Sequence, residues 1–205
     1  MDKKKIAFVG EPCCEVVLYL GQILDYLGYQ LTVYDLSPLK DIASIVPNVN
    51  LADGEAEYLG IKIVWGDLGS VQNQEYSIFY FGYNVGNQLI PKCDEIWMFT
   101  DYQIQHINAL KAVQVKDLPR FLVYLSDDVS HAAAKFMLNE FSGMQINDDN
   151  FIEVDAASNE FRFKCQYNNV IKFKSGGKVL PALIKQLLEV DFDRAEIADA
   201  IKGVK

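Results

Sequence analysis

Lys5–Asp35, KIAFVGEPCCEVVLYLGQILDYLGYQLTVYD, holds the pattern from which the rest of the chain is read. Its opening run, Ile6-Ala7-Phe8-Val9, is apolar on both faces and closed by Gly10, as suits an interior strand covered by two helical layers. Val16, Val17, Leu20, Ile23, Leu24 and Leu27 then recur at three- and four-residue steps, the period of a helix that buries one face. Gly28 stands where a C-cap glycine would stop it. Leu31-Thr32-Val33-Tyr34, β-branched and aromatic, is a second strand that ends at Asp35. Strand, helix and strand within about 30 residues make a β-α-β unit, which brings a parallel sheet and a right-handed crossover.

The alternation continues outward from this unit. Candidate strands follow at Ile61–Trp65, Ser77–Phe81, Glu95–Thr100, Arg120–Leu125, Phe151–Val154 and Val170–Phe173, with helical patterns at Gln103–Val113, Val129–Phe141, Val179–Val190 and Arg194–Ile201. The fold class is therefore α/β: a three-layer open sheet, mainly parallel, of about seven strands, Rossmann-like, with Lys5–Val9 in its interior. No internal repeat or Pro/Ser-rich linker divides the chain, so residues 1–205 are read as a single domain. A domain of that length buries about 70% of the surface that its unfolded chain exposes.

Charge and composition exclude several classes. Twenty-eight acidic against 19 basic residues give a net charge of −9, and no cationic run exceeds Lys3-Lys4-Lys5, which argues against nucleic acid or anionic lipid as the partner. The apolar run Ile6–Gly10 stops at Glu11, too soon for a signal peptide, and no stretch is long enough for a membrane span. The four cysteines, Cys13, Cys14, Cys93 and Cys165, form no C-x-x-C pair, so the expectation is a reduced, cytoplasmic protein. His106 and His131 show no matching Cys or carboxylate spacing, and no metal site is expected.

In an open parallel sheet, ligands bind beyond the carboxyl ends of the strands, so the loop Gly10-Glu11-Pro12-Cys13-Cys14 is the first place to search. A phosphate-binding loop there needs glycines for close backbone approach and a lysine followed by a hydroxyl residue. This loop has one glycine and no lysine; Glu11 and Glu15 repel a phosphate, and Pro12 lacks an N–H. Asp35 reads either as part of a nucleotide site or as a polar cap where Ser37-Pro38 turns the chain. Cys13-Cys14 reads as a redox pair at a helix start or as buried small residues. Ser175-Gly176-Gly177-Lys178 is an anion nest or a plain helix entry, and Asp127-Asp128 and Asp148-Asp149 are metal carboxylates or solvated turns. Tyr76, Phe79, Tyr80, Phe81 and Tyr83 suit core packing better than a stacking surface.

Lys5–Gly10, Tyr19–Gly28 and Leu31–Asp35 resemble the first strand, first helix and second strand of the ParA/MinD-type P-loop ATPases, the SIMIBI-class family with a deviant Walker A motif. Glu75–Phe81 and Pro91–Thr100 resemble that family's Walker B strand and the strand after it, so the resemblance spans residues 1–190. It implies a P-loop NTPase-like topology in which the family's Gly-Lys-Thr-Thr corresponds to Pro12-Cys13-Cys14-Glu15 and its Walker B aspartate to Phe81. The family's earlier lysine falls near Phe8 or Val9. On this reading Gly10, Glu11, Pro12, Cys13, Cys14 and Asp35 are vestigial nucleotide-loop positions, with no cofactor and no metal. The resemblance then implies a pseudo-ATPase that serves as an interaction, positioning or scaffold subunit, of the kind found in pilus assembly, secretion or partitioning. It also implies a homodimer through the face that carries Cys13, Cys14, Phe81 and Tyr83. The alternative is a small-molecule or nucleotide-binding Rossmann-like enzyme, although G-x-G-x-x-G is absent, with Gly10, Pro12 and Glu15 in its positions.

Overall fold

The computed structural model describes residues 3–66, 74–113, 121–126, 131–155 and 178–204. Its strands are β1 (Lys4–Gly10), β2 (Leu31–Asp35), β3 (Glu55–Tyr58), β4 (Ile61–Val64), β5 (Tyr76–Gly82), β6 (Glu95–Thr100), β7 (Phe121–Ser126) and β8 (Phe151–Asp155). Its helices are α1 (Cys14–Tyr26), α2 (Asp41–Ile45), α3 (Ile104–Lys111), α4 (His131–Glu140), α5 (Val179–Leu188) and α6 (Arg194–Gly203). The eight strands among the described residues form one sheet in the order β3-β4-β2-β5-β1-β6-β7-β8. Every neighbouring pair is parallel except the hairpin β3–β4.

The α/β reading and the interior position of the first strand match this sheet, since β1 lies between β5 and β6. The strand count differs: β3, Glu55-Ala56-Glu57-Tyr58, was not expected and pairs antiparallel with β4. The candidate strand Val170–Phe173, the Asp127-Asp128 pair, Cys165 and Ser175–Gly177 lie outside the described residues.

Side-chain alternation along the strands divides the core into two layers. Ile6 and Phe8 of β1, Val33, Ile78, Tyr80, Trp97 and Phe99 face α1, α2, α5 and α6. Ala7 and Val9, with Phe79, Phe81, Met98 and Leu122, face α3 and α4. Helix α1 is buried almost all round because α5 and α6 pack over its outer side. It ends as the sequence leads one to expect: Gly28 takes φ +88, its N–H bonds the Asp25 carbonyl, and the Tyr29 N–H bonds the Leu24 carbonyl. That pair of bonds is a Schellman motif, and it turns the chain into β2.

Candidate functional site

The three central strands β5, β1 and β6 run in the same direction, so their carboxyl ends open on one edge of the sheet. From there β1 leads through α1 to β2 on one side, while β6 leads through α3 to β7 on the other, and α1 and α3 lie on opposite faces. Chains that diverge in this way leave a crevice between the ends of β1 and β6, the place where open α/β sheets bind ligands.

Gly10 shapes the first wall. It has φ +108, and a Cβ on it would sit 2.0 Å from the Phe99 carbonyl oxygen of β6. With no side chain in the way, the Glu11 N–H donates to that carbonyl at 2.8 Å, so β1 stays paired with β6 up to the turn. The Glu11 side chain then reaches across the crevice. Its Oε2 accepts from the Tyr83 hydroxyl at 3.0 Å and lies 3.4 Å from His106 Nδ1. The same His106 nitrogen is 2.8 Å from Asp101 Oδ1.

Asp101 follows β6 and is held by Gln103, whose backbone N–H donates to Oδ1 at 2.9 Å and whose side-chain amide donates to Oδ2 at 3.0 Å. The Tyr83 and His106 rings lie face to face, centroids 4.6 Å apart and tilted by 31°. The side chains of His106, Glu11 and Asp101 keep 23%, 20% and 15% of their surface, so the cluster is largely withdrawn from water yet still reachable. Burial, followed by the charge of Glu11 and its hydrogen bond, pushes the Tyr83 hydroxyl well above the ordinary tyrosine value, which keeps it a donor at neutral pH.

Of the positions the sequence singled out, Gly10 and Glu11 are part of this cluster. Cys13 and Cys14 are buried at the start of α1, as the packing reading had it. Burial raises the Cys14 thiol well above its usual value, with the charges of Glu15, Asp41 and Asp35 adding to the effect, so the helix start does not produce a reactive thiolate. Asp35 has no exposed surface, and its carboxylate accepts from Ser37, Ile42 and Ala43. Phe81 is buried in the layer under α3 and α4. Asp148 and Asp149 are exposed on a turn, where the Asp149 N–H donates to Asn147 Oδ1 at 2.9 Å.

Sequence reasoning did not bring Tyr83, Asp101 and His106 together. The expectation that neither histidine has a carboxylate at matching spacing fails at His106, because Asp101 lies five residues before it across the start of α3 and Glu11 arrives from a distant loop. One signal was present: Glu11 and Asp101 each directly follow the last residue of a parallel strand.

No family model matches the chain, and no curated protein matches it in sequence. Among solved structures it is similar to a plasmid partition protein of Borrelia burgdorferi B31 bound to AMPPNP, with a TM-score of 0.63 at 10% identity over 92% of this chain and 98% of that one. Apo McdA of Cyanthece gives 0.60 at 10% identity over 97% and 99%. The cell division protein MinD of Aquifex aeolicus gives 0.57 at 10% identity over 91% and 96%. At this identity the likeness is one of fold, and the chain has the P-loop NTPase-like α/β fold of these ParA/MinD-type neighbours.

Proposed function

We propose that this chain is a nucleotide-free relative of the ParA/MinD-type ATPases that acts as an interaction or positioning subunit, in a process such as partitioning, secretion or pilus assembly. The observation that carries the reading is the chemistry of the β1–α1 loop. Where a protein of this fold would cradle a phosphate, Gly10-Glu11-Pro12-Cys13-Cys14 presents a carboxylate, and one backbone N–H is bound to Phe99 while Pro12 has none. Phosphoryl transfer in this fold depends on a lysine in that loop and on the hydroxyl residue that follows it, and Gly10–Cys14 contains neither.

Cys13, Cys14 and Phe81 are buried and do not form the contact face expected of them, so the protein contact is assigned to other side chains at the same edge of the sheet. Leu39 follows β2, and Tyr102 and Ile104 follow β6; these three apolar side chains are 79%, 61% and 57% exposed. A second copy of this chain is the partner we assign to that edge.

Calorimetry with ATP, ADP and AMPPNP in magnesium, together with a phosphate-release assay, tests the first part. The expected result is no binding tighter than about 1 mM and no release above background. Micromolar affinity or measurable turnover would overturn it. Sedimentation of the purified chain tests the second: a dimer that Leu39→Glu with Tyr102→Glu converts to monomer, at unchanged circular dichroism, is expected. A chain that is monomeric at every concentration removes the homodimer and leaves the nucleotide result standing.

A further inference from the structure

Asp101 alone, with its carboxylate on the Gln103 N–H, would be an ordinary Asx turn just before α3. Such a turn does not require a second carboxylate, yet Glu11 comes from the β1 loop to the same imidazole nitrogen. Each of the three residues offers one donor atom, and these atoms all lie within 4.8 Å of one another. From His106 Nδ1 the distances are 2.8 Å to Asp101 and 3.4 Å to Glu11. An ion about 2.1 Å from each donor spaces its ligands by about 3.0 Å in an octahedron and about 3.4 Å in a tetrahedron, so the two separations from His106 are close to what a bound ion needs, with the two carboxylates within 4.8 Å of each other.

We propose that Glu11, Asp101 and His106 form a binding site for a divalent transition-metal ion of the Zn²⁺ class. The donor set selects the ion. One imidazole suits Zn²⁺ and its neighbours, two carboxylates supply two negative charges, and no thiolate is present to favour a soft ion. The ion binds His106 through an unprotonated Nδ1, between the two carboxylates; any proton on that nitrogen leaves to solvent as the ion enters, and Nε2 keeps its own. Three protein ligands leave a position open towards the crevice, as in sites that also bind water or a small molecule.

Supporting contacts are already in place. The Tyr83 hydroxyl orients Glu11, and Gln103 holds both oxygens of Asp101, the arrangement in which outer hydrogen bonds fix metal ligands. The site does not depend on the nucleotide reading, since none of its ligands needs a phosphate.

Zn²⁺ titration of the full chain by calorimetry, with Co²⁺ as the spectroscopic probe, tests the proposal. The expected result is one ion per chain with a Kd of about 10 μM or tighter and visible Co²⁺ absorption. His106→Ala and Asp101→Asn are expected to weaken binding at least about 100-fold, and Tyr83→Phe, which keeps all three ligands, about 10-fold. Imidazole ¹⁵N spectra of the unaltered chain add a readout that requires no variant: the chain has two histidines, and Zn²⁺ should shift the nitrogens of His106 and not those of His131. Wild-type binding weaker than about 1 mM, a His106→Ala variant that binds as the parent does, or a shift confined to His131 would each overturn the site.

Discussion

Asp35 takes four donors on its two carboxylate oxygens: the Ser37 N–H and hydroxyl at 3.1 and 2.6 Å, and the Ile42 and Ala43 N–H groups at 2.9 and 3.1 Å. The last two belong to the opening turn of α2, so the end of β2 caps a helix that starts six residues later. Asp35→Ala would leave those N–H groups buried without acceptors and is expected to cost about 3 kcal/mol, read from the urea midpoint. It should leave metal binding at Glu11 and His106 unchanged, since its bonds go elsewhere. The polar-cap role was legible in the sequence from Asp35 and the Ser37-Pro38 turn. What it caps was not, because α2 has five residues and too little periodicity to show.

The first crossover, β1-α1-β2, was readable because each step has its own local signal: an apolar run, a helical period, a C-cap glycine, a β-branched run. β3 has no such signal. Two of its four residues are Glu and one is Ala, poor strand formers, and it becomes a strand by pairing with β4. The Glu11–Asp101–His106 cluster was hidden for a related reason, since it forms only when β1 and β6 lie side by side. Gly10 is where that pairing is most exposed to mutation. Gly10→Ala would press a methyl group onto the Phe99 carbonyl at a φ of +108 and is expected to cost about 3 kcal/mol or more. Gly28→Ala, also at positive φ but with nothing within 4 Å of the added carbon, should cost only about 1 kcal/mol. The difference in melting temperature between the two variants separates the close approach from backbone strain alone.

Across the whole molecule, the start of β1 meets the segment between α5 and α6 at the amino-terminal edge of the sheet. Lys4 pairs with Glu95 and with Asp191, and the Tyr29 ring packs edge-on against Tyr76 at 5.2 Å and Phe192 at 5.7 Å. Burial, with Tyr29, Asp191, Glu95 and Glu75 adding charge, pushes the Tyr76 hydroxyl up to about 12. Folding thus favours its neutral form. The stability associated with that group is complete below pH 10, the unfolded value, and is lost as pH rises from 10 towards 12. Urea midpoints measured across that window should fall for the parent chain and fall less for Tyr76→Phe, while the two agree at pH 7.

The β3–β4 hairpin, at one lateral end of the sheet formed by the described residues, has a consequence for how copies of this protein can assemble. Its outer strand, β3, turns Glu55 and Glu57 to solvent, and Glu55 is tied to Lys62 of β4 at 2.9 Å. A strand arriving to continue the sheet there would meet two like charges along a four-residue rim, too short and too anionic to template it. Growth into fibres by backbone pairing is therefore blocked on that flank, which leaves side-chain contacts as the means by which β3 can meet a neighbour.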